Sequence, residues 1–138
     1  MSINRPFTPA SFYQFLAEGQ LMAAHCTHCG ALHLPPRAVC SYCRSDLMEW
    51  AATSGRGRLV AFTAVSVPPS ALAAEGFSRE NPYCSAIVEL EEGVKISARL
   101  LGVDARRPAS IAIGTPVTAE FVRHQVGDTP ATFLAFRA

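Results

Sequence analysis

The stretch His25–Ser45, HCTHCGALHLPPRAVCSYCRS, carries two Cys-x-x-Cys pairs with ten residues between them. The four thiols, Cys26, Cys29, Cys40 and Cys43, follow C-x2-C-x10-C-x2-C spacing in a chain of only 138 residues. Each pair is long enough to wrap a tight knuckle around one metal ion, with backbone N–H groups aimed at the sulfurs. Gly30 stands just after the first pair, where a positive φ suits the turn. Two knuckles on adjacent hairpins supply four thiolates in a tetrahedron, the arrangement of a closed structural zinc site. A ribbon of about 25 residues buries too little apolar surface to fold alone. Structural zinc contributes an apparent ~10–16 kcal/mol, enough to decide its folding.

A rubredoxin holds iron with the same four ligands, but rubredoxins are usually acidic electron carriers. This chain has a formal net charge of +1, which favours zinc. A closed four-cysteine site has no open coordination position, so no catalysis is expected there. With four thiols available, His25, His28 and His33 are not needed as ligands and read as exposed or outer partners. The zinc–thiolate centre is formally a dianion, which Arg37 and Arg44 are placed to offset. Cys84 stands alone on a predicted strand, where a buried apolar role is expected.

On the N-terminal side, residues 8–24 (TPASFYQFLAEGQLMAA) read as a helix. Ser11 is the expected cap, with Gln14 completing a capping box. Phe12, Phe15 and Leu16 share one face, and Gly19 reads as a C′ residue. That face either packs on the domain or docks a partner. On the C-terminal side, residues 55–138 read as all-β. GRLVAFTAVSV (57–67) is one strand, and YCSAIVELEEGVKISARLLG (83–102) is two strands around Glu91-Glu92-Gly93. TPVTAEFVRH (115–124) and ATFLAFR (131–137) pair around Gly127-Asp128. Five hairpin-rich strands in about 80 residues suggest a small closed barrel, of which the OB-fold is the commonest five-stranded version. The fold expectation is therefore mainly β: an N-terminal helical segment (1–24), a rubredoxin-like zinc ribbon (25–50) and a five-stranded OB-fold domain (51–138). Trp50, Gly55 and Gly57 mark the junction. The long connection 68–82 offers Phe77 and Arg79 as candidate contacts.

The composition, 49% hydrophobic and 17% charged, supports a packed core and argues against disorder. The small net charge argues against a general polyanion binder. Lys95 is the only lysine among twelve Lys and Arg, a bias read as a GC-rich genome. The N-terminus lacks a basic region followed by an apolar one, so no signal peptide is expected. No apolar run approaches the ~18 residues of a membrane span. A cytoplasmic location is expected, where thiols stay reduced and paired cysteines read as metal ligands.

Taken together, the aromatic helix ending EGQL, the CG-x4-PPR-x2-C-x2-C core, the SGRGRL junction, NPYCSAIVELEEG and IGTPVTAEF resemble a family. It is the acyl-CoA-associated zinc-ribbon plus OB-fold proteins, domain of unknown function family 35. The resemblance runs from about Phe12 to Phe136. The chain departs from the family pattern at Ser41, where many members carry Pro, and in its last residues, Phe136-Arg137-Ala138. The resemblance implies a non-catalytic accessory subunit of thiolase-superfamily enzymes: thiolases, thiolase-like acyltransferases or lipid-transfer-type aldolases. Such subunits bridge partners, complete the partner's active site and help to hold the CoA moiety.

The residues agree that the chain is not a stand-alone catalyst. There is no Gly-x-Ser-x-Gly, no P-loop and no dinucleotide-binding glycine pattern. Arg37, Arg56 and Arg58, near the ribbon–barrel junction, are the candidate CoA-binding residues, because Arg grips phosphates bidentately. The four cysteines are the metal ligands and no catalytic residue is assigned. The expected partners are a thiolase-like or aldolase subunit in a hetero-oligomer and an acyl-CoA. A nucleic-acid-binding module is the alternative, disfavoured because the barrel aromatics fall where a core would claim them. A rubredoxin-like electron carrier is the third reading.

Overall fold

The computed structural model describes residues 5–126 and 129–138. The chain opens with helix α1 (Pro9–Ala17), whose N-cap is Thr8: its hydroxyl accepts the N–H of Ser11 at 3.3 Å. The expected cap, Ser11, lies inside the helix and is buried. The reason is Pro9, which presets φ for the first helical position and holds Thr8 extended before it. The helix is also shorter than expected. Gly19 takes φ 76°, Gln20 N–H donates to the Phe15 carbonyl at 2.8 Å and Gly19 N–H to that of Leu16 at 3.0 Å. This double bond pattern closes the helix. Residues 22–24, expected as helix, instead enter strand β1 (Met22–Cys26), where ladder pairing overrides the helical preference of alanine.

The ribbon is a three-stranded sheet with β1 between β2 (Leu32–His33) and β3 (Met48–Ala52), antiparallel to both. The remaining strands are β4 (Arg56–Val65), β5 (Tyr83–Leu90), β6 (Lys95–Leu101), β7 (Pro116–Val126) and β8 (Thr129–Arg137). They close a barrel in the order β4-β5-β6-β8-β7, with a parallel β6–β8 pair. The Glu91-Glu92-Gly93 hairpin forms as expected, with Gly93 at φ 91°. The expected turn at Gly127-Asp128 lies outside the described residues. Along β5, Cys84, Ala86, Val88 and Leu90 point inward in strict alternation. Cys84 is thus a core residue, 1% exposed.

One core joins the modules. Phe12 and Leu16 from α1 pack with Leu59, Val88, Leu100 and Phe136 of the barrel, and Leu34 of the ribbon leans on the same cluster. Phe15 meets Trp50 edge to face at 4.8 Å, and Phe7 stacks on the same indole at 4.7 Å. Trp50 Nε1 donates to the Arg5 carbonyl at 3.0 Å, and Arg5 forks onto Glu18 at 2.7 Å. Phe12, Phe15 and Leu16 are therefore spent on the chain's own core. As a docking face for a partner they are corrected by their burial; the exposed aromatic of α1 is Tyr13.

The connection 68–82 is folded. It contains the single helical turn α2 (Ser70–Ala73), and Phe77 meets Tyr83 edge to face at 5.3 Å. The Arg99 guanidinium lies 5.2 Å from the Phe77 ring and pairs with Glu75 at 3.4 Å. Phe77 is thereby pinned to the barrel, whereas Arg79 is exposed. Among the described residues no helix is long and apolar enough to cross a membrane.

Two substitutions test this packing. Phe12→Ala is expected to lower unfolding free energy by about 3–5 kcal/mol in urea titration, as a deleted core aromatic does. At Gly57 a Cβ would collide with the Glu89 carbonyl oxygen across the β4–β5 pair. Gly57→Ala is expected to cost at least ~2 kcal/mol in the same measurement.

Candidate metal centre and adjoining cleft

The two knuckles are built alike. Gly30 N–H donates to the Cys26 carbonyl at 2.8 Å, and Arg44 N–H to that of Cys40 at 3.0 Å. Cys26 N–H reaches the Ala31 carbonyl at 2.8 Å, and Cys40 N–H that of Ser45 at 2.9 Å. Both turns need a left-handed residue just after the second cysteine. Gly30 supplies it at φ 83°, and Arg44, a residue with a Cβ, at φ 64°.

The four sulfurs all lie within 4.8 Å of one another. Cys26–Cys43 and Cys29–Cys40 are each 3.5 Å apart. A tetrahedron of ~2.3 Å zinc–sulfur bonds has edges of about 3.8 Å, so the donor set fits one such ion. Cys26 and Cys40 are buried, Cys43 is half-buried and Cys29 is exposed. N–H groups of Cys29 and His28 hold the Cys26 thiol below its ordinary value. Those of Cys43 and Tyr42, with His33, hold Cys40 down to about 5 against the effect of burial. Cys29 and Cys43 accept N–H groups from Ala31 and Ser45, yet both are raised, Cys29 by partial desolvation with the Cys40 and Cys26 sulfurs, and Cys43 by desolvation with the other three sulfurs. The pattern is that of four sulfurs competing for charge that a cation in their midst would relieve.

The histidines separate by position. His33 is buried with Nε2 3.4 Å from Cys40 Sγ, and its ring stacks on Tyr42 at 5.8 Å. Tyr42 N–H also reaches Cys40 Sγ at 3.4 Å. His25 pairs with Glu49 at 3.2 Å and His28 is exposed.

Between ribbon and barrel lies a cleft of about 680 Å³. Leu32, His33, Leu34, Arg37 and Tyr42 form its ribbon wall, and Val94 and Lys95 face them from the β5–β6 hairpin. The structure thus brings Arg37 together with Lys95. It does not bring Arg56 and Arg58 there. They line a second groove of about 450 Å³, with Arg58 bonded to Glu89 at 2.7 Å and Arg56 to Glu91 at 3.4 Å. Sequence reasoning missed Lys95 and Tyr42. The only lysine of an arginine-rich chain, two residues past a hairpin glycine, was the available signal.

Knuckle geometry makes a direct prediction. Arg44→Gly is expected to hold its metal and to match the parent within about 1 kcal/mol, because relief of left-handed strain offsets lost chain stiffness. Gly30→Val, which imposes that strain on a branched residue, is expected to weaken metal retention in a chelator competition assay.

Comparison with known proteins agrees with this architecture. Residues 14–49 match the family described as ChsH2, rubredoxin-like zinc ribbon domain, and residues 50–122 match ChsH2, C-terminal OB-fold domain. A DUF35 domain-containing scaffold protein of Methanocaldococcus jannaschii is 35% identical over 104 residues, 75% of this chain and 68% of that protein. The alpha subunit of 3-oxo-4,17-pregnadiene-20-carboxyl-CoA hydratase of Mycobacterium tuberculosis is 34% identical over 93 residues, but this chain spans only 27% of it. Among solved structures, a chain of the Ltp2–ChsH2(DUF35) aldolase superposes with a TM-score of 0.75 at 27% identity, covering 99% of this chain and 97% of that one. A DUF35-family protein of unknown function from Sulfolobus solfataricus shares the fold, with a TM-score of 0.62 at 14% identity over 94% and 83% of the two chains. The chain belongs to the ChsH2-type DUF35 family, a rubredoxin-like zinc ribbon joined to a C-terminal OB-fold.

Proposed function

We propose that this protein is a non-catalytic accessory subunit of a thiolase-superfamily acyl-CoA enzyme, with a structural zinc ion in its ribbon. The observation that carries this reading is the near-complete superposition on one chain of an aldolase whose name joins a DUF35 protein to Ltp2. Zinc is the ion that suits a closed tetrahedron of four thiolates, and its bound state organises the ribbon. Cys26, Cys29, Cys40 and Cys43 would hold it; no step of any reaction passes through it.

The CoA moiety, on this reading, is shared between this chain and its partner. The cleft between modules is the kind of concavity where ligands bind, and Arg37 with Lys95 offers two cations to phosphate groups. Arg56 and Arg58 are a weaker choice because each already faces a carboxylate.

Two measurements test the reading. The pure chain is expected to show no thiolase, acyltransferase or aldolase turnover, and to co-purify at native level with a partner that has it. Turnover by the pure chain, lost on a point substitution within it, would contradict the accessory role. In the assembled complex, Arg37→Ala/Lys95→Ala is expected to raise KM for acyl-CoA about tenfold with kcat little changed, the signature of lost ground-state binding. Arg56→Ala/Arg58→Ala is expected to move KM less.

A further inference from the structure

We propose that the metal centre doubles as a peroxide-responsive switch, with Cys29 as the sulfur that reacts first. The two halves of the centre are not equally protected. The leading cysteine of each knuckle is sealed in, Cys26 at 0% and Cys40 at 1% exposure, whereas Cys29 faces solvent. A metal-bound thiolate stays nucleophilic when an oxidant can reach it.

The structure also supplies a second sulfur to complete the reaction, since Cys40 Sγ lies 3.5 Å from Cys29 Sγ. Cys29 Sγ attacks one oxygen of hydrogen peroxide, the O–O bond breaks, and the departing oxygen leaves as water after taking up a proton. Cys29 is now a sulfenic acid. Cys40 Sγ attacks that sulfur, the S–S bond forms, the S–O bond breaks, and a second water leaves with a second proton. Two thiolates have given two electrons to one peroxide, and the tetrahedron has lost half its donors. The metal is released because two sulfurs do not hold it.

The consequence reaches beyond the ribbon. His33 and Tyr42 both contact Cys40 Sγ, and both form the wall of the cleft opposite Lys95. Drawing Cys40 into a disulfide withdraws the acceptor that positions them. Oxidation therefore dismantles the cleft by the same event that frees the metal. This goes beyond the accessory-subunit reading and rests only on the four thiolates holding a metal.

The test uses the full-length, metal-loaded protein and hydrogen peroxide. Zinc release is followed with a chromogenic chelator, and each cysteine is mapped by differential alkylation and mass spectrometry. The expected result is stoichiometric release, with Cys29 the first thiol lost, a Cys29–Cys40 disulfide as product, and recovery on adding thiol and zinc. Cys29→His keeps a fourth ligand without a thiolate and is expected to release metal at least tenfold more slowly. Should that variant fail to load metal, the alkylation order in the parent protein decides. Retention of zinc under peroxide, loss of Cys26, Cys43 or Cys84 as fast as Cys29, or a first disulfide that omits Cys29, overturns the switch and leaves the zinc assignment standing. Protein that carries no metal before oxidation overturns both.

Discussion

Four sulfurs within 4.8 Å of one another cannot all be anionic unless a cation lies between them. That constraint organises the N-terminal third of the molecule. Without the ion, protons must occupy some of the thiols, and the knuckles lose the charge that their N–H groups are aimed to stabilise. With it, two short hairpins would be tied into one plate. The plate carries Leu34 into the barrel core and presents Arg37 and Tyr42 across from Lys95. A metal held by these four cysteines would fix one wall of the cleft.

The barrel meets the plate on its own terms. It closes through the short β4–β7 pairing at residues 56–58 and 116–118, and its core is filled by alternate residues of β5 together with Phe136. Helix α1 then ties the modules. One side of it packs Phe12 and Leu16 on the barrel, and Phe15 reaches Trp50 on the ribbon. A helix spent in this way is a clamp, and its apolar face is unavailable to another subunit. The aromatic that α1 leaves exposed is Tyr13.

Much of this was legible in the residues. Cys-x-x-Cys spacing announced the tetrahedron, and alternation announced the strands, because both are local signals. The end of α1 was harder to place. Met22, Ala23 and Ala24 favour helix by propensity, and only their pairing with β3 makes them a strand. Ser11 has the side chain of a cap, but Pro9 fixes the first helical position and gives the role to Thr8. The arginines show the limit most clearly. Arg37, Arg56 and Arg58 look equivalent in sequence, yet cross-strand register sets Arg58 opposite Glu89 and leaves Arg37 facing the cleft. No local pattern reports which cation finds a carboxylate across a sheet.

The central claim, that one ion holds the ribbon and through it the cleft wall, is tested most directly by amide hydrogen exchange before and after stripping the metal with a chelator. Amides of β1, β2 and β3 are expected to lose protection while those of β5 and β6 keep theirs. Unchanged protection in the ribbon, or loss of barrel protection in step with it, would mean that the metal does not hold the ribbon as a separate unit.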